Sequence, residues 1–311
     1  MDIGYIGLGA MGAALAARLQ SSVALRVFDL QPEAVQRLVD LGASACASAR
    51  DLGAQCDVVL LCLPTSNHVR AALEGEQGLA AGLRPGCLVI DQTTGDPIVT
   101  RELAAALAAR GVDFVDAPVS GGVVGARAGT IAIMVGAGDT AYDRALPVLR
   151  AISPNVFRAG AVSAGHVMKL VNNMLSAAQR MASMEALTLA AKNGIEPQRA
   201  CEILLAGGAR NAFIEKSMPA ILKCDLAPGF TLALMHKDVR LACDVGSTSG
   251  VPLFYGNLTR EMLQMAISEM GAQAQVNTPA LMFDRLAGTQ VVPPPPSMPP
   301  TSADKASRRP S

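Results

Sequence analysis

Short apolar runs alternate with helical patterns through roughly the first 160 residues of the chain. The runs are rich in Val and Ile and are bounded by Gly, Pro or Asp, which predicts strands at residues 3–6, 24–28, 58–63, 88–90, 114–115 and 131–135. Helical patterns lie between them at residues 11–19, 32–41, 67–74 and 97–109. Strands alternating with helices predict an α/β fold with a parallel sheet, and continuous apolar strands indicate burial on both faces.

The pattern changes after about residue 160, where Ala, Leu and Met dominate. Residues 163–193 read as one long, nearly apolar helix, which Ser163 could cap and Gly194 could end. Further helices are predicted at residues 197–205, 211–222, 232–248, 257–270 and 278–285. The domain prediction is therefore a doubly wound sheet domain at 1–162, an interdomain helix at 163–193 and an all-helical domain at 194–288.

The last residues, 289–311, are rich in Pro and Ser and offer little that can pack. A segment of this composition cannot offset its ordering entropy, so we predict a disordered tail.

Composition excludes several classes of function. Lys plus Arg and Asp plus Glu both number 26, and aromatic residues make up 3% of the chain, so nothing favours nucleic-acid binding. Seven Cys residues without C-x-x-C spacing argue against a disulfide framework and a zinc site. We find no signal peptide and no apolar run long enough for a membrane span, and therefore expect a cytoplasmic protein without a metal.

The first predicted strand leads into a glycine-rich motif that opens a helix. In this context G-x-G-x-x-G is typical of dinucleotide binding: the glycines allow a tight turn, approach to the pyrophosphate and close helix packing. Asp29 ends the second strand, where an acid can accept both ribose hydroxyls of NAD and repel the 2′-phosphate of NADP. The alternative for Asp29 is simple helix capping. The predicted cofactor residues of the motif are Gly7, Leu8, Gly9, Ala10, Met11 and Gly12.

Three later segments carry candidate chemistry. Ser120, Gly121 and Gly122 follow a strand and suit a small carboxylate, although an ordinary glycine turn has the same sequence. Lys169 and Asn173 lie four residues apart on the long helix, and desolvation would lower the pKa of such a lysine toward neutrality. The alternative is a lysine that extends to the surface.

The sequence also suggests roles for three further polar residues. His166 is expected to be structural, and Asn172 is expected to pack or cap. Lys237 lies in a mostly apolar helix and is either directed at a ligand or part of a solvated pair with Asp238.

Four motifs in order, GLGAMG, DAPVSGG, GHVMKLVNN and HKD, resemble the beta-hydroxyacid dehydrogenase family over roughly residues 1–287. The resemblance implies an NAD-dependent 3-hydroxyacid dehydrogenase that forms a homodimer or homotetramer and acts on a small carboxylic acid. It further implies Lys169 as general acid/base, Asn173 as the residue that hydrogen-bonds the substrate beside it, and Ser120, Gly121 and Gly122 as the carboxylate loop. Lys237 would lie at the cofactor and substrate junction. The residues implied at the cofactor are Met11, Leu63, Pro64 and Thr94.

Two other functions remain open. An imine reductase-like enzyme could use the same fold, but relatives of that kind usually lack the lysine that Lys169 would supply. A dinucleotide-binding module without catalysis would be expected to lose that lysine or the carboxylate loop. Asp29 followed by Leu30, where NADP-using members often carry Asn-Arg, favours NAD over NADP.

Overall fold

The computed structural model describes residues 1–294, and the chain divides into two compact units. The first unit comprises Met1–Asn172 and Asp244–Val251, and the second comprises Asn173–Cys243 and Pro252–Ser311. The division falls inside the long helix rather than at either of its ends.

A nine-stranded sheet forms the first unit, with the order β3-β2-β1-β4-β5-β6-β8-β7 and with β9 paired to β8. The strands are β1 (Ile3–Ile6), β2 (Leu25–Phe28), β3 (Ser44–Ala45), β4 (Val58–Leu61), β5 (Leu88–Asp91), β6 (Asp113–Asp116), β7 (Val119–Ser120), β8 (Ala132–Gly136) and β9 (Val156–Gly160). The reversal of strand order between β1 and β4 is the switch point at which doubly wound sheets bind dinucleotides.

The parallel prediction holds for β1 to β6, but β8 runs antiparallel to β6 and β7. Only two residues separate β6 from β7, too few for a crossover connection, so β7 continues in the direction of β6. The chain reverses between Ser120 and Ala132, which places β8 antiparallel to both. The sequence pattern did not predict β3, β7 and β9, which carry few of the β-branched residues that mark a strand.

Helices cover both faces of this sheet, as predicted. They are α1 (Ala10–Gln20), α2 (Pro32–Val39), α3 (Ala49–Gln55), α4 (Ser66–Leu73), α5 (Leu79–Gly82), α6 (Pro97–Ala108), α7 (Gly122–Ala128) and α8 (Asp139–Ile152). Adjacent strand residues divide between two buried clusters: Tyr5 and Leu60 lie in one, whereas Ile6 and Leu61 lie in the other.

The long helix, α9 (Ala164–Lys192), starts in the first unit and continues into the second. Gly194 follows it with φ +80°, and the N–H of Ile195 donates to the carbonyl of Ala190, the hydrogen bond of a glycine-terminated helix. Ser163 precedes it, also in a left-handed conformation, with φ +80°.

The second unit is helical apart from one isolated bridge between Thr231 and Gln275, as far as the described residues extend. Its other helices are α10 (Pro197–Ala206), α11 (Ala212–Lys216), α12 (Met218–Ile221), α13 (Leu232–Ser249), α14 (Phe254–Met270) and α15 (Pro279–Ala287). The prediction of one helix over 211–222 is wrong, since α11 and α12 are separate. Pro219 cannot donate an N–H to the preceding turn, so the helix restarts around it.

The predicted disordered tail begins too early. Val291 and Val292 are buried, and their N–H groups donate to the carboxylate of Asp284 at 2.8 and 2.9 Å. Two adjacent valines with a buried acceptor can pack where prolines cannot. The rest of the predicted tail, from residue 295 onward, lies outside the described residues.

Candidate active site

The loop after β1 has the geometry that a dinucleotide requires. Gly7 has φ +91°, and a Cβ there would lie 2.4 Å from the carbonyl oxygen of Cys62. A Cβ on Gly12 would lie 1.9 Å from the carbonyl oxygen of Gly7. A Cβ on Gly9, by contrast, would meet no protein atom within 4 Å. The first and third glycines are therefore fixed by packing inside the protein, whereas the second borders open space at the start of α1.

This open space fits the phosphates of a dinucleotide. Gly9 is the N-cap of α1, an 11-residue helix with no side-chain cap and no acidic residue in its first turn. A helix start offers unpaired N–H groups and a partial positive charge, and both favour phosphate. Ala10 and Met11 belong to this first turn, and Leu8 is buried at the turn itself.

Asp29 lies just beyond β2 and contacts the glycine-rich loop directly. Its Oδ2 accepts the N–H of Leu8 at 2.5 Å, and its Oδ1 accepts the N–H of Gln31 at 2.8 Å. The second bond spans the turn before α2 and does not cap that helix, which has no side-chain cap, and the first bond ties the acid to the glycine-rich loop. Asp29 therefore brings one negative charge to the carboxyl end of β2, beside an exposed Leu30.

The loops after β4 and β5 are joined to each other. Leu63, beside Pro64, donates its N–H to the hydroxyl of Thr93 at 3.1 Å. Thr94 follows Thr93, and a Cβ on the next residue, Gly95, would lie 2.9 Å from Cε1 of His166. The structure thus places Leu63, Pro64 and Thr94, which the resemblance implied at the cofactor, on neighbouring loops of the first unit.

His166 is structural, as expected. It is fully buried, with Nε2 at 2.8 Å from the carbonyl oxygen of Thr93 and Nδ1 at 2.7 Å from the hydroxyl of Thr100. Both ring nitrogens are therefore engaged by the protein. The histidine locks the loop after β5 to the first turn of α9.

Lys169 lies one turn further along α9 and is 8% exposed. This burial contradicts the alternative of a lysine that extends to the surface. A buried lysine needs polar surroundings.

Asn172, on the same helix, donates its Nδ2 to the hydroxyl of Ser120 at 3.2 Å. Asn172 was expected to pack or cap, so its contact with the predicted carboxylate loop was not predicted.

Ser120 ends β7, and the two glycines after it adopt positive φ angles, +140° for Gly121 and +68° for Gly122. A Cβ on Gly122 would meet nothing within 4 Å, so space beside the loop is open. A hydroxyl and unobstructed backbone N–H groups together suit a small anionic group.

In the second unit, Asn173 donates its Nδ2 to Oδ2 of Asp238 at 2.7 Å. Lys237 lies 3.0 Å from Oδ1 of the same carboxylate. The side chain of Asp238 is 2% exposed and that of Lys237 is 16% exposed, so the alternative of a solvated pair is wrong. Asp238 fixes the amide of Asn173, a role that was not predicted from the sequence.

Comparison with known proteins agrees with this geometry. The model of the NAD binding domain of 6-phosphogluconate dehydrogenase matches residues 2–160. The model described as NAD-binding of NADP-dependent 3-hydroxyisobutyrate dehydrogenase matches residues 163–281. An NAD-dependent L-serine dehydrogenase from Pseudomonas aeruginosa is 37% identical over 92% of this chain and 99% of its own length.

The chain belongs to the beta-hydroxyacid dehydrogenase family. A 2-(hydroxymethyl)glutarate dehydrogenase from Eubacterium barkeri is also 37% identical, over 81% of this chain and 85% of its own length. A structure of the 3-hydroxyisobutyrate dehydrogenase of Mycobacterium tuberculosis with L-serine superimposes with a TM-score of 0.82 at 32% identity, over 91% and 98% of the two chains.

Family membership makes this chain an oxidoreductase with an NAD(P)-binding domain, and the resemblance inferred from its four motifs is confirmed. Residues 1–294 contain no cluster of three potential metal-binding side chains. The same residues contain no helix with the length and hydropathy of a membrane span.

Proposed function

We propose that this beta-hydroxyacid dehydrogenase transfers a hydride between NAD and a small 3-hydroxy acid, with Lys169 as general acid/base. The observation that carries the proposal is a buried lysine on an apolar helix, one turn before an asparagine whose amide orientation is fixed. Burial of this kind adapts a lysine for proton transfer, because losing its charge relieves the cost of desolvation.

In the oxidation direction, neutral Lys169 removes the proton of the substrate hydroxyl. In reduction, protonated Lys169 donates that proton to the oxygen of the semialdehyde. Asn173, held by Asp238, orients the reacting oxygen. The nicotinamide, when bound, supplies the redox chemistry by accepting or donating the hydride.

The substrate carboxylate is assigned to the loop of Ser120, Gly121 and Gly122. Asn172 donates to the Ser120 hydroxyl, and the two glycines carry no side chain of their own beside their N–H groups. Fixing the carboxylate leaves the hydroxyl-bearing carbon as the part of a short acid that can reach the lysine. Positioning of this kind supplies several kcal/mol of a typical barrier.

A small 3-hydroxy acid also agrees with the relatives. L-Serine, named for one relative and present in the aligned structure of another, carries a hydroxyl on carbon 3 next to the carbon that bears the amine and the carboxylate. The relative from Eubacterium barkeri is named for an acid with a hydroxymethyl group in the same relation to a carboxylate. We propose this shared arrangement as the substrate class.

NAD is proposed over NADP on the basis of Asp29. Its carboxylate is held at the end of β2 by two backbone N–H groups, where it would repel a 2′-phosphate. No positive side chain follows it, since the next residues are Leu30 and Gln31.

The test is an absorbance assay at 340 nm (the NADH band) with NAD and NADP offered separately to a panel of 3-hydroxy acids. We expect an NAD-linked rate with at least one short acid. We expect Lys169→Ala to lower kcat by about two to four orders of magnitude without changing NADH binding, which a titration followed by the fluorescence of NADH itself measures.

The matched control is Lys192→Ala, at the exposed end of the same helix. An ordinary rate in Lys169→Ala would contradict the assignment of the lysine. Tight NADH binding without turnover on any acid or imine would favour the non-catalytic module, and turnover on imines alone would favour the imine reductase alternative.

Self-association is part of the proposal. Helix α14 exposes Phe254, Tyr255 and Leu258, which are 81%, 79% and 58% exposed. Adjacent large apolar side chains on a surface are typical of protein interfaces. Light scattering after gel filtration should give two or four times the 32.0 kDa chain mass, and a monomer would refute this part.

A further inference from the structure

We infer that Asp116 is a positioning residue that holds Lys169 in register with the loop of Ser120, Gly121 and Gly122. The inference rests on the proposed function, in which Lys169 transfers the proton and the loop binds the carboxylate. Asp116 sets the distance between these two groups. It starts from one fully buried acid at the end of β6.

Both carboxylate oxygens of Asp116 accept hydrogen bonds from the start of α9. Oδ1 accepts the N–H of Ser163 at 2.7 Å, and Oδ2 accepts the N–H of His166 at 2.8 Å. The first N–H groups of a helix have no partner within the helix. A strand residue 47 and 50 positions earlier therefore caps this helix, and it does so with two hydrogen bonds.

Two glycines make room for the carboxylate. A Cβ on Gly136 would lie 2.4 Å from Oδ1 of Asp116, and a Cβ on Gly165 would lie 2.8 Å from Oδ2. The Cβ on Gly165 would also lie 2.4 Å from the carbonyl oxygen of Met134. Because the carboxylate is closely packed on both sides, the start of α9 can occupy only one position on the sheet.

The position of Asp116 in the chain links the two halves of the proposed chemistry. Ser120 comes four residues after Asp116, and Lys169 comes three residues after His166, which donates its N–H to Asp116. A helix moves as a rigid element over one turn, so a shift of His166 is passed on to Lys169. Asn172, on the same helix, donates to the hydroxyl of Ser120 at 3.2 Å, which connects the helix directly to the proposed carboxylate loop.

Burial raises the pKa of the Asp116 carboxyl, and the facing His166 imidazole and the N–H groups of His166 and Ser163 act in the opposite direction. In the structure both oxygens of the acid accept N–H groups of the helix start. Asn in its place would accept one of the two and would turn an N–H donor toward the other.

A purely structural acid in the same chain provides the matched control. Asp284 is 8% exposed, and its carboxylate also accepts two backbone N–H groups, from Val291 and Val292. Asp284→Asn should therefore lower stability in a similar way to Asp116→Asn. It lies in the second unit, at α15, and carries none of the proposed chemistry.

The decisive measurement does not require a substrate. Competitive acylation of the full-length protein across pH, read by mass spectrometry, gives the titration midpoint of Lys169 with Lys192 as internal reference. We expect Asp116→Asn to shift the Lys169 midpoint by at least about half a pH unit and to leave that of Lys192 unchanged. Asp284→Asn should shift neither.

Kinetics provide the second measurement. A misplacement of about 1 Å costs about a hundredfold in rate, so we expect Asp116→Asn to lower kcat by at least tenfold while KM for the cofactor is unchanged. Equal Lys169 midpoints and equal kcat in Asp116→Asn and Asp284→Asn would overturn the inference.

The test stays decisive if the first variant does not fold or if no substrate is found. If Asp116→Asn does not fold, Gly136→Ala displaces the same carboxylate from the other side and is judged by the same outcomes. If the wild-type protein turns over none of the acids, the proposed function fails, yet the acylation midpoints still decide the role of Asp116.

Discussion

Replacing Arg180 by Met should make the protein more stable. Arg180 lies on α9 within the second unit and is 9% exposed. Its Nη1 donates to the side chain of Asn277, and its guanidinium stacks on the ring of Phe213 at 4.6 Å from the centroid. Nε has no hydrogen-bond partner, and no acid among the described residues pairs with the charge.

The magnitude follows from the cost of burying this charge. Burial lowers the pKa of the Arg180 guanidinium to about 10. At neutral pH the residue is charged in both the folded and unfolded states, so the folded state bears the full penalty, about 3 kcal/mol. Met removes that penalty and loses a stacking interaction and a hydrogen bond, about 1 kcal/mol each. We therefore expect a net gain of about 1 kcal/mol.

The pH dependence has a definite sign. A base with a lowered folded pKa binds fewer protons in the folded state, so stability should rise with pH above about 10. Arg180→Met should lack this rise. Urea unfolding at pH 8 and pH 10.5, followed by circular dichroism, measures both effects.

The control is Arg158→Met. Arg158 also stacks on a ring, that of Tyr142 at 5.0 Å, but its side chain is 40% exposed and is paired with Asp139. We expect at most a small loss of stability there, since exposed pairs contribute about 1 kcal/mol or less. A loss of more than about 2 kcal/mol in Arg180→Met would refute the reasoning, because the buried charge would then be a net source of stability.

Three further predictions concern the site. Gly9→Ala should weaken NADH binding with an unchanged melting temperature, whereas Gly12→Ala should lower both; equal melting temperatures would contradict the packing argument. Asn172→Ala should raise KM for the acid more than it lowers kcat, because the Ser120 hydroxyl loses its donor; steady-state kinetics would show an unchanged KM if that hydrogen bond were irrelevant. Asp29→Asn should improve NADP use roughly tenfold relative to NAD by removing one charge from beside the 2′-phosphate, and unchanged relative kcat/KM values would remove the basis for proposing NAD.

Local sequence patterns predicted the elements whose cause is local. Strands β1, β4 and β5 are continuous apolar runs, and α1 follows a glycine-rich turn whose spacing has a direct steric reason. Helices α3, α5, α7 and α8 were not predicted. The shorter ones, such as α5 with four residues, give too few positions for a 3.6-residue period to emerge. Pro147 lies inside α8, and a proline normally argues against a helix interior.

Long-range partners could not be predicted from spacing. The acid that caps α9 is 47 and 50 residues from its donors, and only the folded sheet brings β6 to that helix. The same holds for Asp238, which lies 65 residues from Asn173. Lys169 was predictable as a candidate because a charge in an apolar helix is conspicuous, but its burial had to be observed.

The adjacent asparagines of the GHVMKLVNN motif show what helix geometry adds to such a pattern. Neighbours on a helix point about 100° apart, so Asn172 and Asn173 cannot serve the same partner. Within the first unit Asn172 holds the hydroxyl of Ser120, and within the second unit Asn173 is held by the carboxylate of Asp238. From the sequence, Asn173 was predicted to take part in the chemistry, and Asn172 was expected to pack or cap. The structure instead gives each a polar partner at a predicted functional segment, so an alanine at either position should impair turnover for a different reason: loss of carboxylate positioning at 172 and loss of orientation of the reacting oxygen at 173.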